Sequence, residues 1–156
     1  MAPLLDIASR DEFDALVIRT DYSDEQVWQD VRSELAMPWG GGEFMAKVHV
    51  VDDPAWAGTS ADGIRAALPS DSGVVFLADR ATMEADHHAL LAVATFTRED
   101  FDNDEDYETA AEFGREFRTS PRGVSEIHTN LYIANMDFYE FAESADHDSE
   151  RVHRSF

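Results

Sequence analysis

The stretch DALVIRTDYSDEQVWQDVRSEL, residues 14–35, decides the fold. Ala15-Leu16-Val17-Ile18-Arg19-Thr20 is a short apolar run, rich in β-branched residues, that stops at Asp21. A strand buried on both faces reads this way, because no polar residue interrupts either face. Ser23 stands as a helix N-cap, with Gln26 three residues on in the capping-box position. Tyr22 and Val27 sit where a hydrophobic staple would join them. Val27, Trp28, Val31 and Leu35 give one apolar helical face. The segment predicts a strand, a tight turn with an acid at its end, and a helix folding back over the sheet.

Outward from it, Met1 to Asp11 reads as a loose lead-in. Pro38-Trp39-Gly40-Gly41-Gly42 stops the helix and turns the chain. These glycines precede a strand rather than a helix, so they read as a linker and not a phosphate loop. Phe44 to Val51 is the second strand, with Val48 and Val50 on one face and His49 and Val51 on the other. It ends at Asp52-Asp53-Pro54, where proline forbids a continued ladder. A helix follows from about Ala61 to Leu68, and Gly73 to Ala78 is a third apolar strand ending at Asp79-Arg80. Ala81 to His87 is a turn of helix. Ala89 to Phe96 suits helix or strand on composition, and the need for another sheet member favours strand. Glu99 to Glu108 carries seven acids in ten residues and reads as a solvated loop or frayed helix. Glu116 to Thr119 is a short fifth strand. Val124, Ile127, Leu131 and Ala134 have helical spacing, and Asp137 caps a second helix carrying Phe138, Phe141 and Ala142. The tail from 146 to 156 is polar. Strands alternating with helices predict one α/β domain with a mostly parallel four- or five-stranded sheet and a C-terminal helical pair. Its core should include Val17, Ile18, Val48, Val50, Val75, Leu77, Leu131 and Phe141.

Composition narrows the function. The 156 residues suit one domain, and 44% hydrophobic residues is ordinary for a globular chain. The sequence holds no apolar run of membrane-spanning length, and its start lacks the basic opening and apolar core of a signal peptide, so the reading is cytoplasmic. With no cysteine, disulfides, thiolate metal sites and cysteine nucleophiles are excluded. Twelve Lys plus Arg against 33 Asp plus Glu give −21, and Lys47 is the one lysine. Such a surface repels nucleic acid and anionic membranes and steers basic partners inward. Plain solubility, or an organism background favouring Asp and Arg, accounts for the same charge.

Three segments carry a resemblance: Asp14 to Asp21, the stretch Val51-Asp52-Asp53-Pro54-Ala55-Trp56-Ala57-Gly58, and Asn130-Leu131-Tyr132-Ile133-Ala134-Asn135-Met136-Asp137-Phe138-Tyr139-Glu140-Phe141. The chain resembles a family of small actinobacterial proteins classed as a domain of unknown function. The resemblance spans Asp14 to Ala142 and implies kinship without implying a reaction. The glycine tract at Gly40 and the acidic segment Glu99 to Glu108 depart from it as local elaborations.

Ligands of open parallel sheets sit beyond the strands' carboxyl ends. Asp21, then Asp52 and Asp53, then Asp79 follow the first three strands. Carboxylates converging there would bind Mg²⁺ through oxygen, with Asp21, Asp52 and Asp79 as ligands, or share a proton as acid and base. Aspartate also ends strands and caps helices for purely structural reasons, and Asp79 has Arg80 or the next turn as partners. Adjacent His87 and His88 diverge too far to chelate, and His128 reads as a surface or boundary residue. Asp100, Asp102, Asp104 and Asp106 alternate like a calcium loop but lack its glycine and its closing glutamate. No G-x-S-x-G, S-x-x-K or Rossmann fingerprint occurs. Trp39 and Trp56 fall in loops, and Phe101 and Tyr107 interrupt the acidic segment. Rings among acids suit a surface for a basic protein partner, with charge steering and rings adhering. Equally, Trp56 folds down as a lid over the sheet edge.

Together these features predict a non-enzymatic, acidic binding protein of the immunity or inhibitor kind that docks a basic partner. The alternative is a divalent-metal-dependent enzyme or small-ligand-binding protein using the strand-end aspartates. The candidate binding residues are Asp21, Asp52, Asp53, Trp56, Asp79, Phe101 and Tyr107.

Overall fold

β1 (Ala15–Arg19) forms where the apolar run predicts it, and all five of its residues are buried. The structure, a computed structural model, describes Ile7 and residues 10–154. The predicted lead-in therefore lies largely outside the described residues. After β1 the chain forms α1 (Glu25–Leu35), β2 (Val48–Val51), a 3₁₀ turn (Pro54–Trp56), α2 (Ala61–Ala67), β3 (Val74–Ala78) and α3 (Arg80–Glu84). It continues through β4 (Leu90–Ala94), a second 3₁₀ turn (Arg98–Asp100), α4 (Asp104–Ala110), β5 (Glu116–Thr119), α5 (Gly123–Tyr132), α6 (Phe138–His147) and β6 (Val152–His153).

The sheet has six strands among the described residues, in the order β2-β1-β3-β4-β5-β6, rather than four or five. It is also mixed. β1 pairs parallel with β2 and β3, and β5 parallel with β6, but β4 runs antiparallel to both β3 and β5. The short link through α3 explains the reversal, since a parallel return needs a crossover of a dozen or more residues. β6 arises in the tail read as polar. Two residues carry no periodicity, yet Val152 and His153 are both buried beside β5.

Alternation along β1 and β3 sends side chains into two cores. Ala15, Val17 and Phe76 meet Trp28, Val31 and Leu35 of α1, with Val124 and Ile127 of α5 and Phe141 of α6 in the same cluster. On the opposite face Leu16, Ile18, Val75 and Leu77 pack with Trp56, Ile64 and Leu68. Of the expected core, Val17, Ile18, Val75, Leu77 and Phe141 are fully buried, while Val48, Val50 and Leu131 are half-buried against the first cluster.

Three local readings change. The N-cap of α1 is Asp24, whose carboxylate accepts from the Val27 N–H at 3.1 Å; Ser23 instead turns its hydroxyl back to the Asp21 carboxylate. Aspartate caps as well as serine, so one more turn residue decides the matter. β2 begins at Val48, and Phe44 stacks on Trp39 at 4.6 Å across the glycine turn. Gly40, at φ +62°, lies under the Phe44 ring, where a Cβ would collide. The second half of the acidic segment is ordered into helix: Asn103 caps α4 through the Asp106 N–H at 2.8 Å, and three acids in its first turn suit the helix dipole.

Gly123 starts α5 so close to the ends of β5 and β6 that an added Cβ would run into the Thr119 hydroxyl and meet the His153 ring. In an open helix, Gly→Ala stabilises by up to about 1 kcal/mol. Here Gly123→Ala is expected to destabilise by about 1–3 kcal/mol through overpacking. Urea unfolding of the two proteins decides it, and a more stable variant would contradict this packing.

Candidate functional site

The parallel run of β1, β2 and β3 brings Asp21, Asp52, Asp53 and Asp79 to one rim of the sheet, as their positions after successive strands require. Each carboxylate there has its own engagement. Asp21 accepts from the Ser23 N–H at 3.3 Å, besides its hydroxyl. Asp53 accepts from the Ala55 N–H at 2.9 Å and caps the first 3₁₀ turn. Asp52 takes the Trp28 indole N–H at 3.2 Å and the Arg19 guanidinium at 3.4 Å. Among the described residues no three His, Asp or Glu side chains form a group that could hold a metal ion. Asp21, Asp52 and Asp79 thus share an edge without forming one ligand set.

Arginines organise this rim. Arg19, only 3% exposed at the end of β1, pairs with Glu25 at 2.8 Å and donates to the Asp21 carbonyl at 3.0 Å. Its guanidinium lies 4.0 Å over the Tyr22 ring and 5.0 Å from the Trp28 ring. A buried cation needs such full coordination, since charge leaves water at high cost. Burial, with the Asp52 carboxylate beside it, pushes the Tyr22 phenol above its ordinary value. The bonds of Gln29 and Arg19 hold the Glu25 carboxyl below its ordinary value.

Asp79 pairs with Arg118 of β5 and not with neighbouring Arg80. The two side chains meet through paired contacts of 2.7 and 2.9 Å, spanning the start of β4, and Asp79 also accepts from the Thr82 N–H and hydroxyl as the N-cap of α3. Arg80 reaches Glu84 instead. Burial raises the Asp79 carboxyl, but Arg118 and the Thr82 bonds outweigh it and hold the group below its ordinary value.

Trp56 is the lid and not a free ring: it is 5% exposed and belongs to the second core. Phe101 and Tyr107 also turn inward. Phe96 receives both edge-on, at 5.4 and 6.1 Å, and Phe138 at 5.9 Å. The acids of α4 and its approach face the other way: Asp102, Asp104, Glu105, Asp106 and Glu108 are exposed. Arg98 pairs with Asp104 at 2.6 Å and lies 4.6 Å over the Tyr107 ring. The rings therefore fasten an acidic helix to the body.

A buried chain of polar groups had no counterpart in the sequence reading. The His153 Nε2 lies 2.9 Å from the Glu126 carboxylate and its Nδ1 3.0 Å from the Ser144 hydroxyl. Three elements supply the three residues, so no spacing could reveal them. Ser144 lies within α6, where backbone N–H groups are tied up in the helix and offer no oxyanion site beside the hydroxyl. The arrangement anchors β6 to α5 and α6. His128 is buried rather than a boundary residue; its Nε2–H donates to the Glu12 carbonyl at 2.7 Å, and burial lowers its pKa. His87 accepts from the Ala89 N–H through Nδ1, and His88 donates to the Thr82 carbonyl, so the pair serves its turn.

The chain belongs to the family described as domain of unknown function DUF6924, which matches residues 14–156. No curated protein and no solved structure matches it.

Removing the partner of Asp79 leaves a half-buried carboxylate without its cation. Arg118→Met is expected to cost about 1–3 kcal/mol at pH 7. Because the folded Asp79 value is depressed, the stability it contributes is present above the unfolded value of about 4 and is lost as pH falls through the folded one. The gap between wild type and variant should therefore hold from neutral pH to about 4 and close below. Urea unfolding across that range measures it; an equal gap at pH 7 and pH 3 would refute the pairing.

Proposed function

We propose that this protein is a non-enzymatic, strongly acidic binding protein, of the immunity or inhibitor type, that docks a basic protein partner. The observation that carries the reading is the disposition of its charges. The net charge is −21, and Arg19, Arg65, Arg98, Arg118 and Arg154 are all engaged by carboxylates of the same chain. The field of the molecule is left negative, and α4 presents acids on a face that aromatic packing holds in place. A rigid acidic face speeds encounter with a basic surface and costs little ordering on binding.

The same rim supports a second reading, a site for a small ligand or divalent cation. The specific observation favouring it is that Asp21 and Asp79 follow β1 and β3, the neighbours between which strand order reverses and where ligands of open sheets gather. Against it stands the commitment of Asp52 and Asp79 to arginines.

Capture from native lysate tests the first reading. A discrete basic protein should be retained at low salt and released at high salt. Charge reversal on the acidic face (Asp102→Lys, Glu105→Lys, Glu108→Lys) should abolish retention, while the matched set Asp30→Lys, Glu43→Lys, Asp71→Lys should leave it. Equal loss in both sets would reduce the effect to bulk charge and defeat the proposal. Thermal melts separate the second reading: docking expects indifference to Mg²⁺, Mn²⁺ and Ca²⁺, whereas a shift abolished by Asp21→Asn would favour the rim.

A further inference from the structure

A cleft of about 330 Å³ opens where α4 meets the start of α6. Phe96, Phe101, Phe138 and Tyr139 line it together with the carboxylates of Asp106 and Asp137. The edge-on contacts of Phe96 with Phe101 and Phe138 fix these walls relative to one another. Asp106 and Asp137 are exposed, and the cleft's lining among the described residues includes no basic side chain. Asp137 caps α6 and Asp106 accepts from the Asn103 amide at 3.2 Å, so both carboxylates have neutral partners and keep their charge. Rings beside such carboxylates suit an organic cation: the ring faces attract it by their quadrupoles and the acids by charge.

The rest of the chain indicates which cation. Arg98 lies over the Tyr107 ring with its guanidinium bound to Asp104. Arg19 lies over the Tyr22 ring with its guanidinium bound to Glu25 and near Asp52. In both places ring and carboxylate together hold a guanidinium, whose planar, weakly hydrated fork stacks and accepts two-point pairing as an ammonium does not. The cleft repeats that combination of rings and carboxylates, with a lining that holds no basic side chain among the described residues. Resting on the reading of the chain as an acidic docking protein, we propose that this cleft seats an arginine side chain of the basic partner, stacked on Phe101 with Asp106 and Asp137 as its counter-charges. The acidic face of α4 then supplies attraction at a distance, and the cleft supplies the point of register.

Aromatic NMR of the whole protein, titrated with Nα-acetyl-arginine methylamide, tests this. Resonances of Phe96, Phe101 and Tyr139 should shift saturably, with the lysine analogue weaker and the uncharged citrulline analogue without effect. Phe101→Leu should weaken the arginine probe by about threefold to fivefold, and Asp106→Asn by a similar factor. Native dispersion of the amide spectra would establish that both variants are folded, even where the lost ring packing lowers the melting temperature. Equal shifts with citrulline, or arginine binding unaffected by both variants, would overturn the proposal. Its failure is distinguishable from failure of the docking reading: salt-dependent capture of a partner would survive an inert cleft, and an arginine-binding cleft would survive the loss of any captured partner.

Discussion

β1 is buried on both faces from Ala15 to Ile18, and the molecule is arranged to satisfy that burial. A strand with no polar face requires a layer above and a layer below. Its own alternation supplies the division. Ala15 and Val17 call for the large cover of α1, α5 and α6, while Leu16 and Ile18 are covered by the shorter α2 and by Trp56. The unequal layers explain why Trp56 is drawn in from a loop. The smaller layer has few apolar side chains of its own, and an indole closes more area than any aliphatic residue available there.

At the carboxyl end of β1 the same burial reaches Arg19, and a cation in that position dictates its surroundings. Glu25 at the start of α1, Asp52 after β2 and the Asp21 carbonyl converge on one guanidinium. They join the first helix, the edge strand and the first turn. The Asp79–Arg118 pair performs the corresponding task across the sheet, tying the end of β3 to β5 over the reversed strand between them. So two of the rim aspartates that resemble metal ligands in the sequence, Asp52 and Asp79, neutralise arginines, while the carboxylates of Asp21 and Asp53 serve their own turns. Their alignment is real, and its first consequence is electrostatic closure of the sheet edge.

The elements whose register is local were legible from the chain. β1, β3, α1, α2, α5 and α6 each announce themselves by an apolar period or run and a stop signal, and the brief Glu116–Thr119 strand also emerged. What escaped was non-local. Leu90–Ala94 is apolar on both faces, and such a run has no sign of direction, so its reversal was invisible. Val152–His153 becomes a strand only because β5 offers an open edge. Trp56, Phe101 and Tyr107 were noticed as rings out of place, but whether a ring faces water or protein depends on what comes to lie over it. Asp79 finding Arg118 across a strand, and His153 finding Glu126 and Ser144, need the fold before the pair exists.

The acidity then has two components with different physics. Asp79, half-buried, and Glu126, buried, are partnered within the fold, where low dielectric makes each pairing strong and makes its loss expensive. The carboxylates on α4 stand in water, where any single pair contributes little and only their sum produces a field. A field of that kind brings a basic surface close but does not orient it, because it varies slowly over a Debye length of about 8 Å at physiological salt. Orientation requires short-range features with directional contacts. On this face such contacts are the ring walls packed against Phe96, beside Asp106 and Asp137. The aromatic packing that makes α4 rigid is therefore also what gives an otherwise diffuse charge a fixed geometry.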